Sequence, residues 1–524
     1  MGTHKSFWAV AIAAVTVTGA VTGCIGQPST TAPVASVHGD SPSPDPSFPA
    51  IAWPSDWPTA APETEGLDSA TLANGLRQLA DNDSRIHSLL IARHGTVVLD
   101  AYAYPYDGST YHDLASVTKS VTTTLIGIAA DQGLLDLDAP MLSFFLERAI
   151  ANRTERKERI TVRQLASMTS GLDCVVDRSE VTLNRMVASD DWVGFALDLE
   201  TVAEPGERFS YCSPGMHLLS AILTQATGQS ALEFARANLF EPLGIPDAYW
   251  PADATGISHG WGGLGLHPHD AAKLGQLFLQ HGRWEGAQIV SSAWVTAATS
   301  AQAATGGFKA EDYGYGWWIA RPRTEPIAFF RADGNGGQRI LGIPELGLLI
   351  VTTGGGFALE EATPFILAAA TDNWQPLPRN PGGVEQLAGA VALLGAAPAP
   401  ESLPALPAAA AALSGRSIEF ETNDYAIRSL RVDFAVGAAE AIVIFNAMHE
   451  SPVREMVVGL DGRWRMSRAG RPIAARGEWL DEATFAIEVD EGPGIAQYTL
   501  RLAVDGASAR LEAPGLSLTG RIGG

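Results

Sequence analysis

Lysine, and basic charge in general, is scarce in this chain of 524 residues. Five lysines stand beside 30 arginines, so a position that needs nothing more than positive charge would usually carry arginine. The formal net charge is −23, and no run rich in lysine or arginine occurs. A nucleic-acid partner is therefore not expected, because its phosphates would be repelled. The acidic balance instead indicates a soluble, negatively charged surface.

Signatures of several other chemistries are also missing. No Gly-x-Ser-x-Gly nucleophile elbow occurs, which argues against a Ser-His-Asp hydrolase of the α/β type. The glycine run at 354–356 is not followed by the Lys-Ser/Thr of a phosphate-binding loop. His267 and His269 lack a matching His-x-x-x-His or carboxylate frame, so we expect no metal site. Nothing else in the chain calls for a cofactor.

What the chain does contain is the composition of a globular protein, with 46% hydrophobic and 18% charged residues. Its length exceeds what one hydrophobic core usually supports, so two or three folded units are expected. The composition divides the chain into an export signal (1–24), a stalk (25–58), a unit of mixed helices and strands (59–375), an Ala/Pro-rich linker (376–416) and a small antiparallel β domain (417–524).

The N-terminus predicts export. Lys5 precedes an apolar run that is short for a membrane span of ~20 residues, and the run ends in VTGC. This ending resembles the bacterial lipoprotein processing site, with Cys24 as the lipidated first residue of the mature chain; simple secretion is the alternative. A two-chain lipid suffices for stable tethering. We expect a lipoprotein on the extracytoplasmic side of a bacterial membrane, which touches that membrane only through its lipid anchor.

Two kinds of periodicity divide the rest of the chain. Between 59 and 375 helical and strand patterns alternate, among them a helix at SATLANGLRQLADN and a hairpin at HSLLIARHGTVVLDAYAY. After residue 416 the period becomes two, in seven short segments. That pattern predicts an antiparallel sheet that closes as a small barrel or sandwich.

One of the five lysines stands in the segment DLASVTKSV, and Ser116-Val117-Thr118-Lys119 is the only Ser-x-x-Lys in the chain. Residues i and i+3 of a helix lie on one face, so the hydroxyl and the amine are expected within reach of each other. A lysine amine, unlike a guanidinium, can lose its proton when burial and a helix N-terminus lower its pKa. It can then activate a serine, and the same helix end directs N–H groups at an oxyanion. The alternative is a solvated lysine, but the surrounding residues are mostly small or apolar.

Five segments of the chain resemble the serine β-lactamase and penicillin-recognising hydrolase superfamily. They are most similar to its branch of class C β-lactamases, esterases and amide-oligomer hydrolases, and they cover roughly residues 60–375. The resemblance implies an α/β (α+β) fold, with an antiparallel sheet flanked by helices and an all-helical subdomain. The segments are PYDGSTYHDLASVTKSVTTTLIGIAADQGLLDLDAP, RITVRQLASMTSGL, PGERFSYCSPGMHLLSAILTQATGQSALEFA, WGGLGLHPHDAAKLGQLFLQHGRW and ADGNGGQRILGIPELGLLIVTT.

The resemblance assigns roles to the first two motifs. Ser116 and Lys119 fill the first motif as nucleophile and base. Tyr211 fills the first position of the family's Tyr-x-Asn motif and would relay a proton between nucleophile and leaving group. Ser213 stands where that motif has asparagine, which puts the usual amide contact to the substrate in doubt, although a hydroxyl can still donate and accept a hydrogen bond.

The third motif departs further from the family. Asn335, Gly336 and Gly337 stand where the family has Lys-Thr-Gly or His-x-Gly, and Gln338 follows. The family's cation binds a substrate carboxylate, and asparagine cannot offer that charge-assisted bond. This favours a neutral ester or amide over a carboxylated β-lactam. The backbone N–H groups of Gln338 and Ser116 would form the oxyanion hole. The alternative for this segment is a tight glycine turn between strands.

Beyond Cys24 the chain has two cysteines, Cys174 and Cys212. The residues alone allow either one disulfide or two buried thiols. The resemblance brings their two loops to one cleft, where a bridge between Cys174 and Cys212 would rigidify the neighbouring Tyr211.

Taken with the resemblance, the sequence predicts a serine hydrolase that acts through an acyl-enzyme, without a cofactor, on a small-molecule ester or amide. An ester, a D-amino-acid amide or short amide oligomer, and a β-lactam all remain open as substrates. The rival hypothesis is a non-catalytic envelope lipoprotein. It would bind a cell-wall polymer or a partner through a retired site of this kind and through the C-terminal β domain.

Overall fold

The structure is a computed structural model. The predicted export signal and all but the last two residues of the predicted stalk lie outside the described residues. Within the described part of the chain, no helix combines the length and apolarity needed to cross a membrane. The described residues are 57–82, 84–174, 180–320, 327–372, 375–403, 405–423, 427–447, 454–467, 472–491 and 496–523.

Helices are concentrated in the first 413 residues. The α-helices are α1 (Ser69–Asp81), α2 (Val117–Asp131), α3 (Glu155–Glu158), α4 (Val162–Ala166), α5 (Val181–Val187), α6 (Trp192–Asp198), α7 (Ser213–Thr227), α8 (Ala231–Ala235), α9 (Pro268–Leu279), α10 (Ser292–Ala298), α11 (Thr363–Ala369), α12 (Pro381–Leu394) and α13 (Ala408–Leu413). Short 3₁₀ turns lie at Pro62–Glu65, Met141–Phe144, Asn335–Gly337, Pro344–Leu346 and Leu359–Glu361, and a π turn lies at Arg236–Phe240.

The strands fall into two groups along the chain. Those of the mixed unit are β1 (Ile86–Arg93), β2 (Thr96–Tyr102), β3 (His112–Asp113), β4 (Gly265–Leu266), β5 (Arg283–Trp284), β6 (Ala287–Gln288), β7 (Asp312–Tyr313), β8 (Trp318–Ile319), β9 (Phe330–Gly334), β10 (Gln338–Ile343) and β11 (Leu348–Gly354). Those of the C-terminal unit are β12 (Ser417–Phe420), β13 (Ile427–Phe434), β14 (Glu440–Ala447), β15 (Arg454–Gly459), β16 (Arg465–Ser467), β17 (Ile473–Trp479), β18 (Thr484–Glu491), β19 (Ala496–Asp505), β20 (Ser508–Ala513) and β21 (Leu516–Ile522).

An antiparallel sheet of strand order β2-β1-β11-β10-β9-β8-β7 forms the centre of the mixed unit. The predicted hairpin is its edge: β1 and β2 are joined at His94 and Gly95, whose φ values are 47° and 81°. Two successive positive φ angles are what a type I′ hairpin turn requires.

Helices cover both faces of this sheet because successive residues of a strand point to opposite sides. On β1, Leu90 and Ala92 belong to one hydrophobic core, which they share with residues of α2, α9 and the helical segment α4–α8. Leu89 and Ile91 belong to a second core, which they share with residues of α1, α11 and α12. Helix α2 therefore lies between the sheet and the helical subdomain.

The C-terminal unit is a ten-stranded antiparallel sheet around its own hydrophobic core. Its order is β15-β14-β13-β12-β21-β20-β19-β18-β17-β16. A further parallel pairing of Gly459 with Arg476 joins β15 to β17, so the sheet closes on itself in a barrel-like form.

The predicted fold class is confirmed: a helix-flanked antiparallel sheet with a helical subdomain is followed by an all-β unit. The seven predicted segments fall on β12 to β15 and β18 to β20. Strands β16, β17 and β21 were not predicted, because β16 has only three residues, and arginine and glycine interrupt the alternation of β17 and β21. Helix α12 lies inside the region whose composition predicts a linker, at the place where the sequence EQLAGAVALLG also indicates a short helical stretch. Its buried Leu387 and Ala390 share a core with Leu72 and Leu76 of α1, so part of this region packs as a helix of the mixed unit.

Two helical glycines generate a prediction about packing. A Cβ on Gly275 of α9 would lie 2.5 Å from side-chain atoms of both Ile340 and Leu349, whereas a Cβ on exposed Gly389 of α12 would meet nothing within 4 Å. We expect Gly275→Ala to lower the free energy of unfolding by about 1–3 kcal/mol through overpacking. We expect Gly389→Ala to raise it by about 0.5–1 kcal/mol, since alanine favours helix. Chemical denaturation of both variants checks this, and equal effects would contradict the described packing of α9 on the sheet.

Candidate active site

Ser116 lies where a strained turn becomes a buried helix. Ala115 has a φ of 47°, and backbone strain of this kind tends to persist at functional sites, where the surrounding structure fixes it. Asp113 Oδ1 accepts the Ala115 N–H at 2.8 Å. Ser116 is the N-cap of α2 and stays partly exposed, while Val117 behind it is buried. The turn thus leaves the hydroxyl reachable at a helix N-terminus, where negative charge is favoured.

Lys119 is buried one turn into α2, against the Ser116 hydroxyl. Its Nζ lies 2.8 Å from Ser116 Oγ and 2.8 Å from the carbonyl oxygen of Trp261, and only 1% of the residue is exposed. Burial lowers the pKa of Lys119 to about 8, because the ammonium loses its hydration. About a tenth of this lysine is therefore uncharged at pH 7. The neutral amine can donate to the Trp261 carbonyl and accept the Ser116 proton with its lone pair.

Tyr211 closes the other side of this pair. Lys119 Nζ lies 4.9 Å from the centre of its ring, and its hydroxyl is hydrogen-bonded to Ser116. Burial raises the pKa of Tyr211 well above its ordinary value of 10, and the charge of Glu180 raises it further. The phenol therefore keeps its proton, which leaves Lys119 as the group of this trio that is able to accept one.

The loop that carries Tyr211 is held on both sides. A disulfide joins Cys174 to Cys212, with the Cα atoms 5.3 Å apart, and Cys212 directly follows Tyr211. Just before Tyr211, the Ser210 N–H donates to the carbonyl of Met168 at 2.8 Å. These contacts fix the backbone around the phenol.

Aromatic side chains form two walls beside the Ser116–Lys119 pair. On one side the Tyr211 ring stacks with Phe308 and Trp318 at centroid distances of 5.8 and 5.9 Å. The second wall is the aromatic group around Trp261, a residue that lies near the pair because its backbone carbonyl accepts from Lys119 Nζ. The Trp261 ring stacks on His259 at 5.4 Å and contacts Trp192 at 6.5 Å. Apolar walls of this kind fit a substrate with an apolar acyl or leaving group.

Ser213 contacts a carboxylate that the sequence analysis did not identify. Its buried Oγ donates to Glu180 Oε2 at 2.6 Å. Glu180, with a φ of 47°, is the N-cap residue of α5, and its charge raises the pKa of both Lys119 and Tyr211. In the sequence Glu180 is 31 residues before Tyr211, and no motif marks it. The position that has asparagine in the family therefore joins a carboxylate to the site.

The third-motif turn lies against the turn that precedes Ser116. A Cβ on Gly334 would be 2.4 Å from the Leu114 carbonyl oxygen and 3.2 Å from Ala115 Cβ, so the two backbones approach as closely as glycine allows. Gln338 pairs with Gly334 across the β9–β10 ladder and is fully buried. Its side-chain Nε2 donates to the Gly354 carbonyl at 2.7 Å, which orients the start of β10.

Within this turn, Gly337 and Asn335 differ in exposure. Gly337 is buried with a φ of 102°, and its carbonyl accepts the Thr352 hydroxyl at 2.8 Å. Asn335 is exposed. The turn therefore has a fixed base and an accessible tip.

Cations near this motif come from positions that the sequence analysis did not single out. The Asp333 carboxylate pairs with Lys309, and it lies 2.8 Å from an Arg339 nitrogen and 3.5 Å from an Arg331 nitrogen. Burial pushes the pKa of Asp333 upward, but the three cations outweigh it and the pKa is lowered. Lys309 Nζ also lies 4.2 Å from the centre of the Trp318 ring, at the edge of the first aromatic wall.

Metal ligands are not grouped in this site. Among the residues that the structure describes, no three His, Cys, Asp or Glu side chains are arranged to hold an ion. The chemistry considered below uses protein groups only.

A comparison with known protein families shows to which family this chain belongs. The Beta-lactamase family model matches residues 77–371, more than half of the chain. The chain belongs to the Beta-lactamase family. The predicted family resemblance is therefore confirmed.

Curated relatives cover only part of this Beta-lactamase family member. The 6-aminohexanoate-dimer hydrolase of Paenarthrobacter ureafaciens is 26% identical over 249 residues, which are 44% of this chain and 63% of that protein. Protein flp of Staphylococcus aureus is 27% identical over 164 residues, which are 30% of this chain and 33% of that protein. The alignments thus span less than two thirds of either relative.

Solved structures include a similar family VIII carboxylesterase. The match has 18% sequence identity and a TM-score of 0.49, and it covers 59% of this chain and 98% of that one.

The structure brings most of the predicted site residues together. Ser116, Lys119 and Tyr211 contact one another, Ser213 is the first residue of α7, and Gln338 lies beside the turn before Ser116. Asn335 is exposed at the tip of the third-motif turn. Cys24, the predicted lipidation site, lies outside the described residues.

The carboxylate of Glu180 generates a prediction about pH dependence. A lysine amine can accept a proton only when it is neutral, so kcat/KM is expected to rise with pH through about 8 in the wild-type protein. In Glu180→Gln the ammonium loses a stabilising charge. The Lys119 pKa therefore falls, and this rising limb moves to lower pH. The check is the pH profile of kcat/KM for an uncharged ester.

Glu241→Gln, at an exposed position outside the site, serves as the matched control and should leave the profile in place. An unmoved limb in Glu180→Gln would mean that Glu180 does not act on the titrating group.

Proposed function

We propose that this protein is a serine hydrolase that cleaves an ester or amide through an acyl-enzyme. The observation that carries the proposal is the 2.8 Å contact between the buried Lys119 Nζ and the partly exposed Ser116 Oγ. A lysine whose pKa is lowered by burial, next to a reachable hydroxyl, is the arrangement that serine activation requires. Membership of the Beta-lactamase family, and a relative named 6-aminohexanoate-dimer hydrolase, support the same proposal.

In the acylation step, Ser116 Oγ attacks the substrate carbonyl carbon while its proton passes to Lys119 Nζ. A new C–O bond forms and the carbonyl electron pair moves to oxygen. The oxyanion is then held by the backbone N–H groups of Ser116 and Gln338, which cost no reorganisation because their turns are fixed before the substrate binds. The close approach at Gly334 supports this pairing of the two turns.

Collapse of the tetrahedral intermediate breaks the bond to the alcohol or amine. The departing atom takes the Tyr211 proton, and the phenol is reprotonated by Lys119, so the proton taken from Ser116 leaves with the product. Water then attacks the acyl-enzyme, again losing a proton to Lys119. The bond between Ser116 Oγ and the acyl carbon breaks, Lys119 returns the proton to Oγ, and the acid departs. The raised pKa of Tyr211 keeps the phenol protonated at neutral pH, so it has a proton to pass on.

We favour an uncharged ester or amide with apolar groups as the substrate. Asn335 offers no charge at the position where the family binds a carboxylate, and the nearby Lys309 is already paired with Asp333. The aromatic walls around Tyr211 and Trp261 suit apolar substituents. A short amide oligomer, a D-amino-acid amide and a β-lactam are the competing substrates that a panel must include.

The proposed location is the outer side of a bacterial membrane, with the chain tethered through a lipid on Cys24. This part of the proposal is carried by the sequence alone, by its apolar N-terminal run and the ending VTGC. Under this proposal the stalk at 25–58 would hold the hydrolase away from the membrane surface.

The test combines a serine-reactive phosphonate probe with a panel of a p-nitrophenyl ester, a D-alanyl anilide and a chromogenic cephalosporin. We expect labelling and turnover of the ester in wild type, and loss of both in Ser116→Ala. Lys119→Ala should lower kcat/KM by about 10²- to 10⁴-fold. Lys119→Arg keeps the charge but removes the base, so it should be as inactive as alanine.

Absence of labelling in wild type, or equal labelling of Ser116→Ala, would favour the rival, a binding lipoprotein with a retired site. Activity of Lys119→Arg near the wild-type level would contradict the assignment of Lys119 as base.

A further inference from the structure

The C-terminal barrel buries a carboxylate against the mixed unit. Asp490, near the end of β18, is 3% exposed, and aspartate is rarely buried so completely unless it is paired. Its Oδ2 accepts the Tyr106 hydroxyl at 2.5 Å and Gln497 Nε2 at 3.2 Å, and it lies 3.3 Å from His87 Nε2. Tyr106 and His87 belong to the mixed unit, so this carboxylate joins the two units.

His87 meets this carboxylate as a neutral ring. Burial lowers the pKa of His87 to about 3, so the imidazole is uncharged at neutral pH. Its Nε2–H can then donate to Asp490. The cluster is therefore a set of hydrogen bonds onto one buried carboxylate, whose geometry is fixed because every donor must be aligned.

The cluster continues inward to the strand that precedes the nucleophile. The rings of His87 and Tyr106 stack at 4.1 Å, and both contact the ring of His112, at 5.6 and 5.2 Å. His112 has no exposed surface, and it lies in β3, four residues before Ser116. The position of His112 is thus set by the two rings that Asp490 holds.

Strand β3 sets both sides of the Ser116–Lys119 pair. His112 pairs with Leu266 of β4, and the ladder continues as the Leu114 N–H donates to the Leu264 carbonyl at 2.8 Å. Only a few residues before β4 lies Trp261, whose carbonyl accepts from Lys119. A shift of β3 against β4 would therefore move the serine and the acceptor of its base relative to each other.

The same carboxylate also has a route to the third motif. Gln497, bonded to Asp490, lies so close to Gly355 that a Cβ there would be 2.7 Å from Gln497 Nε2. The next residue, Gly356, donates to the carbonyl of Gly336 at 2.7 Å. The barrel thus lies against the backbone that supports the turn before Gln338.

We propose that Asp490 is a positioning residue for hydrolysis. By holding Tyr106, His87 and Gln497, it fixes the two turns whose N–H groups face the reacting carbonyl. The barrel then contributes to the geometry of the hydrolase site and is not an independent binding module. This inference rests on the proposed function, since it concerns the geometry of the same site.

The test compares Asp490→Ala, Asp490→Asn and Tyr106→Phe in the full chain. In Asp490→Ala we expect kcat and the rate of phosphonate labelling to fall by about 10- to 100-fold, with KM within about twofold, because misplacement of catalytic groups by about 1 Å has that effect. Asparagine keeps an acceptor oxygen, so Asp490→Asn should recover part of the loss. Tyr106→Phe keeps the ring stack but not the bond to Asp490 and should fall between wild type and Asp490→Ala.

Asp461→Ala is the matched control. Asp461 is also a buried carboxylate of the barrel, but its side chain bonds to Arg465. The Asp461→Ala variant should lose about as much thermal stability as Asp490→Ala, but its kcat should stay at the wild-type value. Hydrogen exchange of the amides at 112–119 should rise in Asp490→Ala and stay unchanged in Asp461→Ala.

A folded Asp490→Ala protein with wild-type kcat and wild-type exchange at 112–119 would overturn the inference. A wild-type protein that neither labels nor hydrolyses any substrate would instead contradict the proposed function. The exchange comparison would still decide whether Asp490 positions this segment.

Discussion

Burial of a single amine is the constraint on which the rest of the site depends. Lys119 can serve Ser116 as a base only while its pKa stays low. A low pKa requires that the helix which carries the lysine be buried on all sides at that position. Helix α2 meets this condition because it is enclosed by the sheet and the helical subdomain, and its polar groups bond outward to loop carbonyls. Three hydroxyls within about one turn do so: Ser120 to Gly316, Thr122 to Gly260 and Thr123 to Tyr315, at 2.6 to 2.9 Å.

Electrostatics around this amine work in opposite directions. Burial lowers the pKa of Lys119, while Glu180 raises it, and both effects raise the pKa of Tyr211. Burial therefore separates the two groups into an acceptor and a donor of protons, because it favours the neutral form of both, whereas Glu180 shifts both pKa values upward. Ser213 takes part because its hydroxyl fixes Glu180 at 2.6 Å. A serine in place of the family's asparagine can thus act through a carboxylate rather than directly on a substrate.

Much of this arrangement could be predicted from local sequence, and what could not has a physical reason. The spacing of Ser116 and Lys119 follows from the helical period, since three residues make nearly one turn. Glu180 was not predicted as a site residue, because its approach to Lys119 depends on tertiary packing and its sequence segment has no periodicity. The packing of helix α12 in a core was not predicted from the sequence. Alanine and glycine each bury little area, so the apolar face of this helix is hard to recognise in the sequence although Leu387 is buried.

A buried carboxylate also joins the two folded units of the chain. Removing a carboxylate from water costs free energy that only well-aligned donors offset. A linker between two independent units would not require such a buried carboxylate. Asp490 has such donors in Tyr106, His87 and Gln497, and two of the three lie on the other unit. The hydrogen bonds of Asp490 can therefore form in only one position of the barrel relative to the mixed unit. Because those partners lead through His112 to the turn before Ser116, whatever fixes the barrel also limits the positions open to the nucleophile.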